Sequence, residues 1–454
     1  MPGPPQQRDL LMSTPTFDDR MLPPGPRTRF WHPLAYGHSP YSFFRSVHAR
    51  YGDPFTVKTL NLTAMTGHPE GVRQIFTAPS ETFHVVLPPS QRRVLGSHGL
   101  SGLSGDAHRR TRKLISPCFH GESLKGLGGI IHDIAVRAVK DWTPGQVLDV
   151  KTAMRDISLD VILISLFGVE TPEGLFDSRA AVLRFAQSFG NPAFLISALL
   201  GITADTWPPN RQLDESRCAL EHLIRSNIGK RRQQGTQRPD LLSRLMEARF
   251  EDGSGFTDEA LVDNLVTNLI AGHETSALSL CWFFHWVGSH PEVAKRVQEE
   301  LEGLSSDDDI SAIQALPYLD AVIRECLRLY PAVPEVVRML AKPLELRGFT
   351  LPAGMNVAAC SAVLHMDPEL FPDPDQFNPD RFITRGYSGF EYIPFGGGER
   401  VCIGNHFGVF EIKILIAVFL RRGRFALVSE GPLKVRRNGF LMGPDRVHVR
   451  FERR

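Results

Sequence analysis

Phe395-Gly396-Gly397-Gly398-Glu399-Arg400-Val401-Cys402-Ile403-Gly404 is the decapeptide on which the reading of this chain turns. It sets one cysteine in a glycine-rich loop directly before a segment of helical periodicity, Asn405 to Leu420. Backbone N–H groups and the positive end of such a helix face the sulfur and favour thiolate, the form in which cysteine binds a metal. Taken alone, Cys402 also fits the commonest fate of a lone cysteine, a small buried apolar side chain. Nucleotide loops are excluded by the same residues. A P-loop would end in Lys-Ser/Thr and a dinucleotide fingerprint would need a later glycine, and the decapeptide has neither.

Around this loop lie 454 residues, more than one hydrophobic core usually serves, so two domains or one large elaborated fold is expected. With 42% hydrophobic and 22% charged residues the composition is globular, which excludes a disordered or collagen-like chain. Lys+Arg 51 against Asp+Glu 50 leaves nothing in the overall charge to attract nucleic acid or an anionic membrane. The six cysteines stand singly, without a C-x-x-C pair, a C-x-x-C-H haem-attachment motif or zinc spacing, so no disulfide framework is expected. Residues 1–20 carry no apolar h-region and read as a flexible tail. The most apolar long stretch, Leu269 to Val287, is interrupted by His273, Glu274 and His285. No membrane anchor and a cytoplasmic location are therefore expected.

The pattern is mainly helical with small sheets, an α+β chain. Ser39 to Tyr51 reads as a short helix, and Asp53–Lys58 with Leu62–Thr66 as a hairpin. Val86 to Gly105, with two prolines and four glycines, reads as a long functional or mobile loop. Helical periodicity dominates from Asp106 to about Phe250, with breaks that include a Gly/Pro-rich patch from Gly190 to Asn210. Thr257 followed by Asp258 and Glu259 opens a helix that continues to about Gly288, long enough to cross the molecule. A further helix is expected from Pro317 to Tyr330, and short strands near Val336–Leu340, Leu344–Leu346 and Met355–Cys360. No internal repeat and no dividing linker is found.

The decapeptide resembles, at every fixed position, the Phe-x-x-Gly-x-Arg-x-Cys-x-Gly signature of the cytochrome P-450 (haem-thiolate monooxygenase) family, soluble bacterial type. The resemblance implies one P-450 domain over 1–454, a triangular helical body whose long central helix crosses over the haem. It implies haem b with Cys402 as proximal thiolate and iron ligand. Phe395 then packs near the sulfur, Arg400 pairs with a propionate, and Gly396, Gly398 and Gly404 admit the ring. A thiolate ligand pushes electron density onto iron and assists O–O cleavage.

Other segments resemble further elements of that family, in its order. Glu325 and Arg328 in IRECLRLYP are similar to its Glu-x-x-Arg pair, completed by Arg381 in FNPDRF; on residues alone they could equally be a surface ion pair. Ala271-Gly272-His273-Glu274-Thr275-Ser276 resembles its oxygen-activation motif. Thr275 would then hold oxygen and a water, and Glu274 would link them to solvent protons. The bland alternative is a Thr275 hydroxyl bonded to the carbonyl four residues earlier, with Glu274 solvated. His108 and Arg112, spaced i, i+4, and Arg338 in PEVVRML resemble residues that reach the haem propionates, though His108 to Lys113 is also simply a basic run.

The resemblance, with its Glu274-Thr275 pair intact, implies O2-dependent insertion of one oxygen atom, by hydroxylation or epoxidation, and apolar candidate walls suggest a hydrophobic fatty acid, terpenoid or polyketide-like substrate. The alternatives are a haem-thiolate peroxygenase or isomerase, and a haem-based binding or sensor protein. Leu87, Ala271, Val333, Val337 and Leu441 are candidate pocket walls; apolar side chains line cores and pockets alike. The resemblance implies electrons from a separate ferredoxin and an NAD(P)H-dependent reductase, docked on the basic face near the cysteine loop.

Overall fold

The computed structural model describes residues 21–454 apart from 27–31, 59–60, 85–86, 170–171, 200, 236–237, 239, 429–430, 432 and 439–440; the expected flexible tail, 1–20, lies outside the described residues. The helices that position the site are α1 (Pro69–Thr77), α2 (Pro89–Leu95), α3 (Gly105–Ile115), α4 (Glu122–Asp141), α5 (Val150–Phe167), α6 (Pro208–Gln234), α7 (Asp258–Ser289), α8 (Pro317–Leu329) and α9 (Asn405–Arg422). The strands that matter are β1 (Phe55–Lys58), β2 (Leu62–Thr66), β3 (Phe83–His84), β4 (Val336–Leu340) and β5 (Asn356–Ala359). They form one sheet in the order β1-β2-β5-β4-β3. β1 and β2 are an antiparallel hairpin, β2 runs parallel to β5, and β4 is antiparallel to both β5 and β3.

Thr257 caps α7, its hydroxyl accepting the Ala260 N–H at 3.2 Å, and Asp258 and Glu259 place negative charge in the positive first turn. At 1.5 Å per residue its 32 residues span about 48 Å. The helix packs against α5, α6, α8 and α9. Leu261, Val262, Leu265, Val266 and Leu269 in its first half and Ala277, Leu280, Cys281 and Phe283 in its second are buried in the main core. α9 is equally buried, from Phe407 to Phe419. No helix among the described residues is long and apolar enough to cross a membrane.

Two expected irregular stretches are more ordered than their composition implied. The segment read as a loop from Val86 to Gly105 contains α2 and a 3-10 turn at Leu100–Gly102, while Val86 itself is outside the described residues. The fixing groups come from α7, which is distant in sequence. Asp263 accepts the N–H groups of Ser97 (2.9 Å) and His98 (2.8 Å) and pairs with Arg217 of α6 at 2.6 Å, and Asn264 accepts the Leu100 N–H at 2.9 Å. Gly96, at φ +77°, lies so close to that carboxylate that a Cβ would stand 2.0 Å from Oδ1. The Gly190–Asn210 patch likewise contains a helix, Pro192–Leu199.

Candidate functional site

The cysteine loop is folded tightly between α1 and β4. Gly396 and Gly398 adopt φ +69° and +66°, a region that side chains rarely occupy, and a Cβ on Gly397 would meet the Phe76 ring at 2.2 Å. The Cys402 N–H donates to the Phe395 carbonyl at 2.9 Å, closing the loop onto itself. Cys281, Cys326 and Cys360 are buried, whereas Cys402 opens to solvent. Surrounding protein still pushes its thiol up, opposed by the Gly404 N–H and the charge of Arg112. A Cβ added at Gly404 would enter open space.

Four basic side chains from three parts of the chain converge beside this loop. Arg112 of α3 donates to the Val401 carbonyl at 2.7 Å, and Arg400 donates to the Leu103 carbonyl. Arg338 of β4 donates to the carbonyls of Ile75 (3.1 Å) and Gly397 (2.9 Å), while its buried Nε has no hydrogen-bond partner. His108 of α3 is 3% exposed, so the basic run is not simply a solvated face. Burial, then the charges of Arg400 and Arg112, lowers His108 to about 4, and it is neutral at pH 7. Burial first and Arg400 second lower Arg338 to about 10, and Arg112 and Arg400 are lowered mainly by burial. Cations held this close favour an anionic occupant among them.

The middle of α7 departs from the burial of its two halves. Ala271 is exposed, and Gly272, Glu274 and Thr275 are part-exposed, although the helix lies in the core on either side. The Thr275 hydroxyl donates to the Ala271 carbonyl at 2.7 Å, the local bond that composition alone allowed, which leaves its oxygen lone pairs available as acceptors. Next to it, Ser276 donates to Glu411 of α9 at 2.7 Å. Glu411 stands six residues into α9, so the bond ties the centre of α7 to the helix that begins at the cysteine loop, about 9 Å along it.

Glu325 and Arg328 are fully buried and not a surface pair. Arg328 donates to both carboxylate oxygens at 2.7 and 2.8 Å, and Arg381 adds a third bond at 3.1 Å. Arg328 also holds the His365 carbonyl at 2.7 Å, and His365 Nε2 accepts the Ile393 N–H at 2.9 Å, two residues before Phe395. His365 is therefore the link between the ion-pair cluster and the cysteine loop. Burial lowers it to about 3, which keeps it the neutral acceptor this bond needs. Nothing in the local sequence around His365 marked it, and nothing marked Glu411 or Asp263; their partners are remote in the chain. Among the candidate pocket residues, Val333 and Val337 are exposed at 42% and 45%, and Leu87 and Leu441 are half-buried.

The family model "Cytochrome P450" matches residues 22–451. The chain belongs to the cytochrome P450 family. It is an oxidoreductase that incorporates oxygen, of the haem-thiolate kind. One curated relative is the cyclooctat-9-en-7-ol 5-monooxygenase of Streptomyces melanosporofaciens, 33% identical over 409 residues and covering 88% of each chain. Among solved structures, a cyanobacterial P450 with retinoic acid bound, CYP120A1, superposes with a TM-score of 0.84 at 25% identity, covering 95% of this chain and 99% of its own. The haem domain of cytochrome P450DA matches equally well in fold, TM-score 0.84 at 23% identity, covering 95% and 98%. The residues present fit such a group: one solvent-open cysteine in a closed loop, open space at Gly404, and clustered cations with an unpaired Nε at Arg338.

Proposed function

We propose that this P450 uses haem b held by Cys402 to insert one atom of O2 into a hydrophobic terpenoid or fatty-acid-like substrate. The observation that carries the reading is the gathering of His108, Arg112, Arg338 and Arg400 around one open cysteine. Two carboxylates at the edge of an apolar ring need such partners, and guanidinium forks suit them. Phe395 would pack beside the sulfur, and Gly396 and Gly404 would allow close approach of the ring. When bound, haem supplies the redox-active iron at which dioxygen is reduced and one of its atoms is passed to substrate.

The chain's own work is protonic and steric. Thr275, already donating to Ala271, accepts a hydrogen bond from the reacting site or its water; Glu274 moves protons from solvent to that water. Ala271, Val333, Val337, Leu87 and Leu441 bound the substrate and exclude bulk water. Glu325, Arg328 and Arg381 hold the loop in place through His365. The whole chain acts as one P450 domain in the cytoplasm, a reading supported by its six free cysteines. Electrons come from a ferredoxin and its NAD(P)H-dependent reductase, docking over a shallow depression of about 290 Å³ lined by His108, Arg109, Arg112, Lys113, Ser116 and Glu399. Arg109, Arg112 and Lys113 outnumber Glu399 there, which suits an acidic donor, although Arg109 also pairs with Asp106 and Lys113 with Glu251.

The test is the absorption spectrum of the reduced, CO-treated protein, followed by titration of the oxidised form with terpenoids and fatty acids. A strongly red-shifted Soret band and a low- to high-spin change with one substrate class are expected. A histidine-type CO spectrum would refute thiolate ligation.

A further inference from the structure

His273, beside the acid-alcohol pair, is 1% exposed and has no place in the proton supply described so far. Its Nδ1 lies 2.6 Å from the Leu269 carbonyl. A carbonyl only accepts, so Nδ1 carries the hydrogen, and in the neutral ring Nε2 carries a lone pair. That Nε2 is buried without a hydrogen-bond partner and stands 3.7 Å from Glu274 Oε2. Successive positions on a helix point about 100° apart and do not ordinarily face each other, so the 3.7 Å separation means that these two side chains lean toward each other. An imidazole lone pair facing a carboxylate oxygen sets two acceptors against each other, and a proton lying between them after a small rotation of Glu274 satisfies both.

We propose that His273 shares one proton with Glu274 and thereby sets the protonation of that carboxylate, as a positioning residue for the proton supply at Thr275. This rests on the monooxygenase reading of the site. With the proton on Nε2 the pair is imidazolium and carboxylate, and with it on Oε2 it is neutral imidazole and carboxylic acid. Both forms carry zero net charge, so the proton crosses without changing the net charge of the site, and the ionic form holds its two buried charges as an adjacent pair. The neutral form leaves Glu274 a donor, as proton delivery requires. Burial lowers His273 from its ordinary value; the Leu269 carbonyl and the Glu274 charge act in the raising direction, and the charge of Arg155 on the packed helix α5 lowers it further. Glu411 of α9 reaches Ser276 instead.

The test uses the reduced, CO-bound holoenzyme labelled with 15N-histidine, the His273 signal being identified by its loss in His273→Phe, or in His273→Asn where the phenyl ring prevents folding. Titration is compared between the native protein and Glu274→Gln. The His273 midpoint is expected to fall by about one pH unit or more, a tenfold loss of proton affinity, when the carboxylate is removed. An unchanged midpoint, or a neutral Nδ1–H ring across the whole range in both proteins, overturns the proposal. In turnover, product formed per O2 consumed is expected to change its pH profile in His273→Phe with KM held; an unmoved profile counts against the proposal. Absence of O2-dependent turnover in the native protein would instead refute the monooxygenase reading, and the titration would still be readable.

Discussion

Replacing Arg328 by methionine separates a scaffold ion pair from a decorative one. The change deletes two bonds to Glu325 (2.7 and 2.8 Å), one to the His365 carbonyl (2.7 Å) and one to the Gln376 carbonyl (3.2 Å). Glu325 keeps Arg381 and the Asn378 N–H at 2.9 Å, which puts the cost of its uncompensated charge at the low end, about 3 kcal/mol. The His365 carbonyl, left without its guanidinium, adds about 1–3 kcal/mol. A loss of about 4–6 kcal/mol is a large part of the 5–15 kcal/mol typical of a folded protein. The control is Arg73→Met. Arg73 and Glu70 have the same i, i+3 spacing and a 2.6 Å contact, but their side chains are 51% and 43% exposed. Urea unfolding, followed by tryptophan fluorescence and by Soret absorbance, should show a large drop in midpoint and early haem loss for Arg328→Met and almost none for Arg73→Met. Equal shifts in the two variants would refute the reasoning from burial.

Three further outcomes are expected. Thr275→Ala should raise peroxide released per O2 consumed and lower product, measured with ferredoxin and reductase; unchanged coupling would remove Thr275 from the proton supply. Glu411 is fully buried, its carboxyl raised by burial from 4.5 to about 8, so between those values the native state holds a proton that the unfolded state has lost. Stability of the native protein therefore falls as pH rises through that window, with a slope of at most about 1.4 kcal/mol per unit; Glu411→Gln, which can keep an acceptor for Ser276, should flatten it in urea melts at several pH values. Arg338→Leu should speed transfer of haem to apomyoglobin at neutral pH, because it removes a cation from the set beside Cys402; an unchanged transfer rate would take Arg338 out of the haem site.

The cysteine loop was legible because its chemistry is local: Gly396 and Gly398 supply the positive-φ turns, and a closed turn leads straight into α9. The long helix was legible for the same reason, since a cap at Thr257 and unbroken periodicity are near-neighbour properties. The Glu325–Arg328 pair could be located but not weighed. Only the packing of Arg381, Asn378 and His365 around it distinguishes a fully buried cluster from the exposed Arg73–Glu70 pair of identical spacing. The stretch from Val86 to Gly105 was misjudged as irregular because its order is imposed by Asp263, Asn264 and Arg217, more than a hundred residues away.

The sequence by itself determined the family, the thiolate candidate, the acid-alcohol pair and the helical frame, since each is written in residues within one or two turns of each other. The tertiary structure alone decided that His108 is buried among arginines, that Ala271 is exposed midway along a core helix, that Glu411 ties α9 to the centre of α7, and that His273 leans toward Glu274. Burial and electrostatic coupling depend on what distant segments bring alongside a side chain, and spacing along one segment carries no record of that.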